Sequence, residues 1–409
     1  MKKRLLLIGA TTGYQTRAFA GAAERLGFEL VLATDRCHVL DDPWGDRAIP
    51  LRFEDPRGAA ETLAAEAGVD GLVAVGDRPA YIAALAAELM GIPYNSPDSV
   101  EASGNKFLAR ERFRAAGLLV PDFHRISLAE GPDHAAQQAR YPCVVKPLAL
   151  SASRGVIRAD HPEEFIAAFR RIESLLSNPD IARLHEDQDR FLQVESFIAG
   201  REFALEGILS HGQLRVLALF DKPDPLDGPF FEETIYVTPS RESLLTQDAI
   251  ARATHAAVEA LGLTEGPIHA EMRVNRSGVW ILEVAARPIG GLCARVIPGL
   301  EDLILRHAAG VDAGTLTMPT PAAGVMMIPI PREGIYVAVQ GLDQARSAPG
   351  IEDVIVTAKK GQKLIPLPEG ASYLGFIFAR AETPDAAEQA LRNAHQQLRF
   401  EIATALPVI

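Results

Sequence analysis

The chain has 409 residues, enough for two or three domains with hydrophobic cores of their own. Its 48% hydrophobic and 23% charged residues are the proportions of an ordinary soluble globular protein. A net charge of −12 excludes a general nucleic-acid binder, which needs clustered cations, yet leaves room for a local basic site for a small anion.

The first hundred residues alternate strand-like and helix-like runs. RLLLIGA predicts a strand, 17–26 a helix, FELVLAT a second strand, ETLAAEA a short helix, VDGLVAVG a strand and AYIAALAAELM a helix. Such alternation builds a parallel sheet covered by helices. The apolar run Leu5 to Ile8 is short and meets glycine, which suits a buried first strand better than a signal peptide. Glycines at 9 and 13 bracket a turn between strand and helix that suits a nucleotide phosphate, a substrate carboxylate or simply a tight bend. The full dinucleotide fingerprint is absent.

GIPYNSPDSV marks a boundary near residue 100. Beyond it the texture changes to mixed α+β: a helix over 101–116, the strand CVVK, a helix over 163–176, then FLQVESFI, EFALEGIL, LRVLALF, IHAEMRV and VWILEVA as antiparallel ribs. From about residue 311 a further α+β block ends in a helix over 384–400. The expected domains are therefore 1–100, 101–310 and 311–409. No run is apolar enough to span a bilayer, which takes roughly 18–20 residues. Cys37, Cys143 and Cys293 lack metal-ligand spacing and are expected as reduced, buried thiols, with the cytoplasm as the default location.

YPCVVKPLALSASRGVIRAD places Lys146 at the end of an apolar strand, ahead of a loop with Ser151, Ser153, Arg154 and Gly155. A lysine is a point cation for phosphate oxygens, and small polar residues let backbone N–H groups and hydroxyls close over them. A surface turn with a chance lysine is the alternative. Lys106, early in a helix, gains meaning only in that company. In FLQVESFIAGREFALEG, the strand edge at Glu195, Phe197 and Ile198 suits an adenine ring, and Glu202 suits ribose hydroxyls; a hairpin with exposed glutamates is the bland reading.

Glu271 and Glu283 lie on apolar strands joined by the turn 275–278. Two like charges a few ångströms apart repel by about 4 kcal/mol at an effective dielectric near 20. A divalent cation relieves this, as Mg²⁺ uses one or two carboxylates plus nucleotide phosphates. Arg287 shares the face of Glu283 if the strand runs on, either to stabilise charge developing in a reaction or to form a salt bridge with Glu283.

Taken in order, Lys106, Lys146 with its Ser/Gly loop, QVESFIAGRE and the Glu271/Glu283 pair resemble an ATP-grasp domain behind a Rossmann-like pre-ATP-grasp domain. ESFIAGREFALEG, FDKPDPLDGPFFEETIYVTPS and EVAARPIGG are more narrowly similar to the L-amino-acid ligase branch. The resemblance implies ATP bound by Lys106 and Lys146, a phosphate cover formed by residues 151–155, adenine at Glu195 and its neighbours, and ribose at Glu202. It also implies Mg²⁺ (or Mn²⁺) on Glu271 and Glu283, with Arg287 assisting phosphoryl transfer. Many ATP-grasp enzymes carry asparagine two residues after the second metal glutamate; here it is Ala285, which moves the metal onto the two glutamates. The expected partners are amino-acid-like substrates, with neither nucleic acid nor membrane involved, and the expected assembly is a homodimer.

Substrate clues are thinner. Glu233, beside Tyr236, is expected to hold a substrate ammonium unless the segment is a solvated loop. His269 is expected to orient substrate or take a proton from the amine, with packing as the alternative. Gly290 and Gly291 would leave room for a substrate side chain.

Overall fold

The computed structural model describes residues 2–10, 15–35, 48–65, 68–182, 187–311 and 321–404. Among them the strands form four sheets. The first is parallel, in the order Ile49–Pro50, Glu29–Thr34, Arg4–Gly9 and Gly71–Val75, with helices Thr16–Leu26, Pro56–Ala65 and Asp77–Met90 beside it. Leu5, Leu6, Leu7 and Ile8 are all buried, as a parallel strand covered on both faces requires. Most of the glycine-bracketed turn (11–14) and Cys37 lie outside the described residues.

The helix Leu300–Ala308 packs directly on this sheet. A Cβ on Gly71 would stand 1.9 Å from the Ala308 carbonyl oxygen, so only glycine lets the two backbones approach this closely. Arg25 pairs with Asp302 at 2.5 Å on the same face. The N-terminal sheet is thus gripped by residues from the middle of the chain.

The second sheet is antiparallel: Phe123–Ser127, Phe191–Ser196, Cys143–Pro147, Ile157–Ala159. The third has eight strands, running Gly278–Ala285, Gly266–Asn275, Arg201–Ser210, Gln213–Lys222, Ile235–Thr238, Ala322–Ile328, Gly375–Ala381 and Ile351–Val356. Its last three strands come from the C-terminal block, so sheet hydrogen bonding crosses the boundary expected at residue 310. A small sheet of Lys363–Leu364, Gly334–Gln340 and Arg399–Ala403 flanks it.

Two helices differ from their sequence patterns. The run 101–116 splits into Pro97–Gly104 and Lys106–Ala115, because Asn105 adopts an extended conformation and its side chain accepts from the N–H groups of Phe107 and Leu108. Asparagine is a strong helix starter, so the Gly-Asn pair stops one helix and starts another. The last helix ends at Gln397 rather than 400, and the chain turns into a strand.

Candidate active site

A cleft of about 430 Å³ opens between the second sheet, which supplies Lys146 and Glu195, and the eight-stranded sheet, which supplies Glu202, Glu271 and Glu283. The N-terminal domain closes one side with Gln15 and Asp77.

At one wall, Lys146 Nζ lies 2.5 Å from Glu195 Oε2, and the other Glu195 oxygen is 2.6 Å from Arg110 Nε. Gln193, directly opposite Lys146 in register, donates to Glu195 Oε1 at 2.5 Å. Burial penalises the ionised Glu195 carboxyl, but Arg110 and Lys146 outweigh it and hold the carboxyl at about 2. Burial likewise depresses the Lys146 ammonium, and Arg110 adds to that; Glu195 recovers part, leaving Lys146 at about 8. Glu195 was expected beside adenine. It lines the cleft beside Phe197 and Ile198, with its carboxylate engaged as the counter-ion of Lys146 and Arg110.

Lys106, in the first turn of its helix, donates from Nζ to the Leu150 carbonyl at 2.7 Å, and its N–H donates to the Leu148 carbonyl at 2.8 Å. It thereby ties down the start of the serine loop. Ser151, Ala152 and Ser153 line the cleft, and Ala152 and Ser153 both hold the left-handed conformation (φ 57° and 54°). Two such residues in succession are uncommon outside functional loops. Gly155 differs from expectation: its N–H donates to the Pro368 carbonyl at 2.8 Å, and it packs on Pro147 and Leu175. It docks the loop rather than offering a donor to an anion.

Farther along, Phe197 stacks on Phe231 (6.5 Å between centroids), with Arg158 over its ring at 4.1 Å. The Phe197 N–H is taken by the Pro142 carbonyl and the Ile198 carbonyl by Arg273. The strand edge is therefore less open than the sequence implied. Glu202 accepts from Lys222 at 3.0 Å and from Arg273 at 2.8 Å. Each oxygen keeps a second lone pair for a hydroxyl.

Glu271 and Glu283 face each other in register across adjacent strands, and Lys106 Nζ stands 3.5 Å from Glu283. Burial disfavours the Glu271 carboxylate, but Lys222 and His269 more than compensate and hold it at about 2. Lys222, which the sequence reading passed over, is buried among three carboxylates: Glu202 at 3.0 Å, Glu271 at 3.4 Å, and Glu233 in direct contact. Burial lowers its affinity for the proton, yet the three carboxylates raise it well above the ordinary lysine value. Oxygens of Glu202, Glu233 and Glu271 lie within 4.8 Å of one another, a set that could suit a metal ion. Here the Lys222 ammonium already stands against all three. Glu283 and Glu271 are partly exposed to the cleft (side chains 29% and 23%) and so remain open to a divalent cation.

His269 bridges Glu206 (Nδ1 at 3.1 Å) and Glu271 (Nε2 at 3.3 Å). Burial lowers its proton affinity, but hydrogen bonds to both carboxylates outweigh that and raise it to about 9. Both ring nitrogens thus face carboxylates, an arrangement that orients Glu271 and leaves neither nitrogen turned to the cleft as a proton acceptor. Glu233 accepts from the Tyr236 hydroxyl at 2.8 Å, and burial with the neighbouring Glu271 charge raises its carboxyl.

The strand carrying Glu283 ends at Ala285, so strand period does not govern Arg287. Its carboxylate partner is Asp77, at 2.7 Å from Nε, not Glu283. Of the two glycines, Gly290 has open space where a Cβ would stand. Gly291 does not: it has φ 62°, and a Cβ there would stand 3.2 Å from the Phe376 ring. Of the two, only Gly290 borders open space.

The charged partners of the cleft side chains that the sequence reading missed are Lys222, Arg110, Asp77 and Glu206. Only Lys222 left a legible signal, since LRVLALFDK repeats the apolar strand ending on lysine that singled out Lys146.

Comparison with known proteins places this geometry in a family. The ATP-grasp N-terminal domain matches residues 20–94, the ATP-grasp domain 139–296, and the L-amino acid ligase C-terminal domain 2 residues 326–403. Residues 139–296 carry an ATP-grasp domain, flanked by matches to the N-terminal and C-terminal domains found with it. The L-amino acid ligase of Bacillus licheniformis superposes with a TM-score of 0.84 at 27% identity, covering 98% of this chain and 99% of that one. The alanine–anticapsin ligase of Bacillus subtilis is 26% identical over 58% of this chain, which spans half of that protein's length. A Sinorhizobium fredii relative is 24% identical over 76% of this chain, which spans 64% of its length. Phosphoribosylglycinamide synthetase and biotin carboxylase structures share the ATP-grasp fold at 16–17% identity. Among the described residues no helix is long and apolar enough to cross a membrane.

Proposed function

We propose that this protein is an ATP-dependent ligase that joins the carboxylate of one L-amino acid to the amine of a second. A carboxylate oxygen attacks the γ-phosphorus of ATP and ADP leaves; the amine then attacks the acyl carbon and phosphate leaves. The observation that carries the reading is the cleft itself. It gathers the cations Lys106 and Lys146 and the Glu271/Glu283 pair in one space, together with acidic and apolar lining residues. Lys146 and Lys106 meet phosphates, the 151–153 loop covers them, Phe197 and Ile198 flank adenine, and Glu202 meets the ribose. Glu271 and Glu283 would hold Mg²⁺, which would neutralise charge on the transferring phosphoryl group. Glu233, fixed by Lys222 and Tyr236, receives the ammonium of the acid substrate. Its side chain extends past Gly290 toward Cys293, Met327 and Phe376.

The test is phosphate release from ATP and Mg²⁺ with single and paired amino acids. Release that depends on an amino acid, with a peptide product seen by mass spectrometry, is expected; bicarbonate-dependent release with no amino-acid response would favour a carboxylase-type ATP-grasp activity instead. Glu283→Ala is expected to keep its fold and lose turnover by at least about a hundredfold, as removing one transition-state charge stabiliser does. Gly290→Val fills the open space beside Arg287 and is expected to drop bulky acid substrates from the accepted range while retaining glycine and alanine. An unchanged substrate range would move the side-chain pocket elsewhere.

A further inference from the structure

Arg287 belongs to a short turn held by polar contacts at consecutive points. Its guanidinium Nε donates to Asp77 at 2.7 Å. Two residues on, the Ile289 N–H donates to Glu206 Oε1 at 3.0 Å, and the Ile289 carbonyl accepts from the Gln15 side-chain amide. That carbonyl can only accept, so it fixes which end of the Gln15 amide faces it; the buried Gln15 Oε1 has no partner among the described residues. Two of the three attachments come from the N-terminal domain. Asp77 opens the helix Asp77–Met90, just past the end of the strand Gly71–Val75, the edge at which open α/β sheets present functional groups.

Arg287 has an alternative partner. Glu283 and Glu206 both contribute to the field that favours its charge, after Asp77. Without Asp77, the attraction of these two carboxylates would be left to set where the guanidinium lies. We propose that Asp77 is a positioning residue: from the N-terminal domain it holds Arg287 off Glu283 and aims it at the acyl phosphate. This rests on the reading above, in which Arg287 meets the transferring group. The N-terminal domain then has a part in the chemical step as well as walling the cleft.

Steady-state kinetics of Asp77→Ala, Asp77→Asn, Arg287→Ala and the Asp77→Ala/Arg287→Ala pair test it. Asp77→Ala is expected to lower kcat at least tenfold with KM for ATP within twofold, and Asp77→Asn, whose amide oxygen still accepts from Arg287, to fall between. The double variant is expected to be no slower than Arg287→Ala alone. Asp77 also complements the start of its helix, so a lower melting temperature should appear in both backgrounds. A loss of kcat should appear only where Arg287 is present. Wild-type kcat in Asp77→Ala beside a slow Arg287→Ala, or a full multiplicative loss in the double variant, overturns the inference. Wild-type kcat in Arg287→Ala instead overturns the reading of Arg287 on which it rests.

Discussion

Lys146→Met is expected to reduce kcat/KM for ATP by at least about a hundredfold, the scale of one preorganised charge contact to a transferring phosphoryl group. Methionine matches the lysine stem in bulk, so the strand Cys143–Pro147 should keep its packing while the cation disappears. The same lysine predicts a basic limb in the pH profile. With its proton held at about 8, Lys146 is a cation below that pH and neutral above it, so apparent ATP affinity falls as pH rises through about 8. The stability term has the opposite sense. An unfolded lysine keeps its proton to the ordinary 10.5 while the folded one releases it near 8, so the cost of burying this ammonium shrinks across that window. Bound nucleotide phosphates should move the limb upward. Nucleotide binding that stays level from pH 7 to 9.5, or a Lys146→Met enzyme of undiminished kcat/KM, would remove Lys146 from the phosphate site.

Lys146 also shows how far the sequence carries. An apolar strand ending on lysine, then proline, then a serine-rich loop is a local pattern, and local patterns were legible: the loop, the Glu271/Glu283 hairpin and the N-terminal βα alternation all lie where the residues imply. What sequence spacing could not reach is pairing between distant segments. Arg287 sits four residues from Glu283, yet its partner is Asp77, 210 positions away. Arg110 looks like one more charged residue on a helix until the fold brings it within 2.6 Å of Glu195. His269 could be read as a base because nothing local announces Glu206 on the neighbouring strand. The eight-stranded sheet likewise joins strands on both sides of the boundary expected at residue 310, a long-range register that alternation within each strand does not encode.

Glu195→Gln should be the most destabilising single change in the cleft. Arg110, Lys146 and Glu195 are all buried, and the two cations share one carboxylate. Removing that carboxylate leaves two like charges together in a buried site, and breaking a buried pair costs about 3–5 kcal/mol. Arg110→Met, by contrast, leaves Lys146 and Glu195 as a neutral pair and should cost less. The loss is closer to the roughly 1.5–3 kcal/mol of a charged hydrogen bond. Acid reports the sign. The Glu195 carboxyl is held at about 2 in the fold against the ordinary 4.5, so its contribution is complete above 4.5 and is lost as pH falls through about 2. Denaturant midpoints of wild type and Glu195→Gln should therefore differ most above pH 4.5 and converge as the pH falls toward 2. Nucleotide phosphates supply the missing negative charge, so saturating ATP should recover part of the loss in Glu195→Gln. A constant gap across that pH range, or a larger loss in Arg110→Met than in Glu195→Gln, would mean that the carboxylate does not balance the two cations.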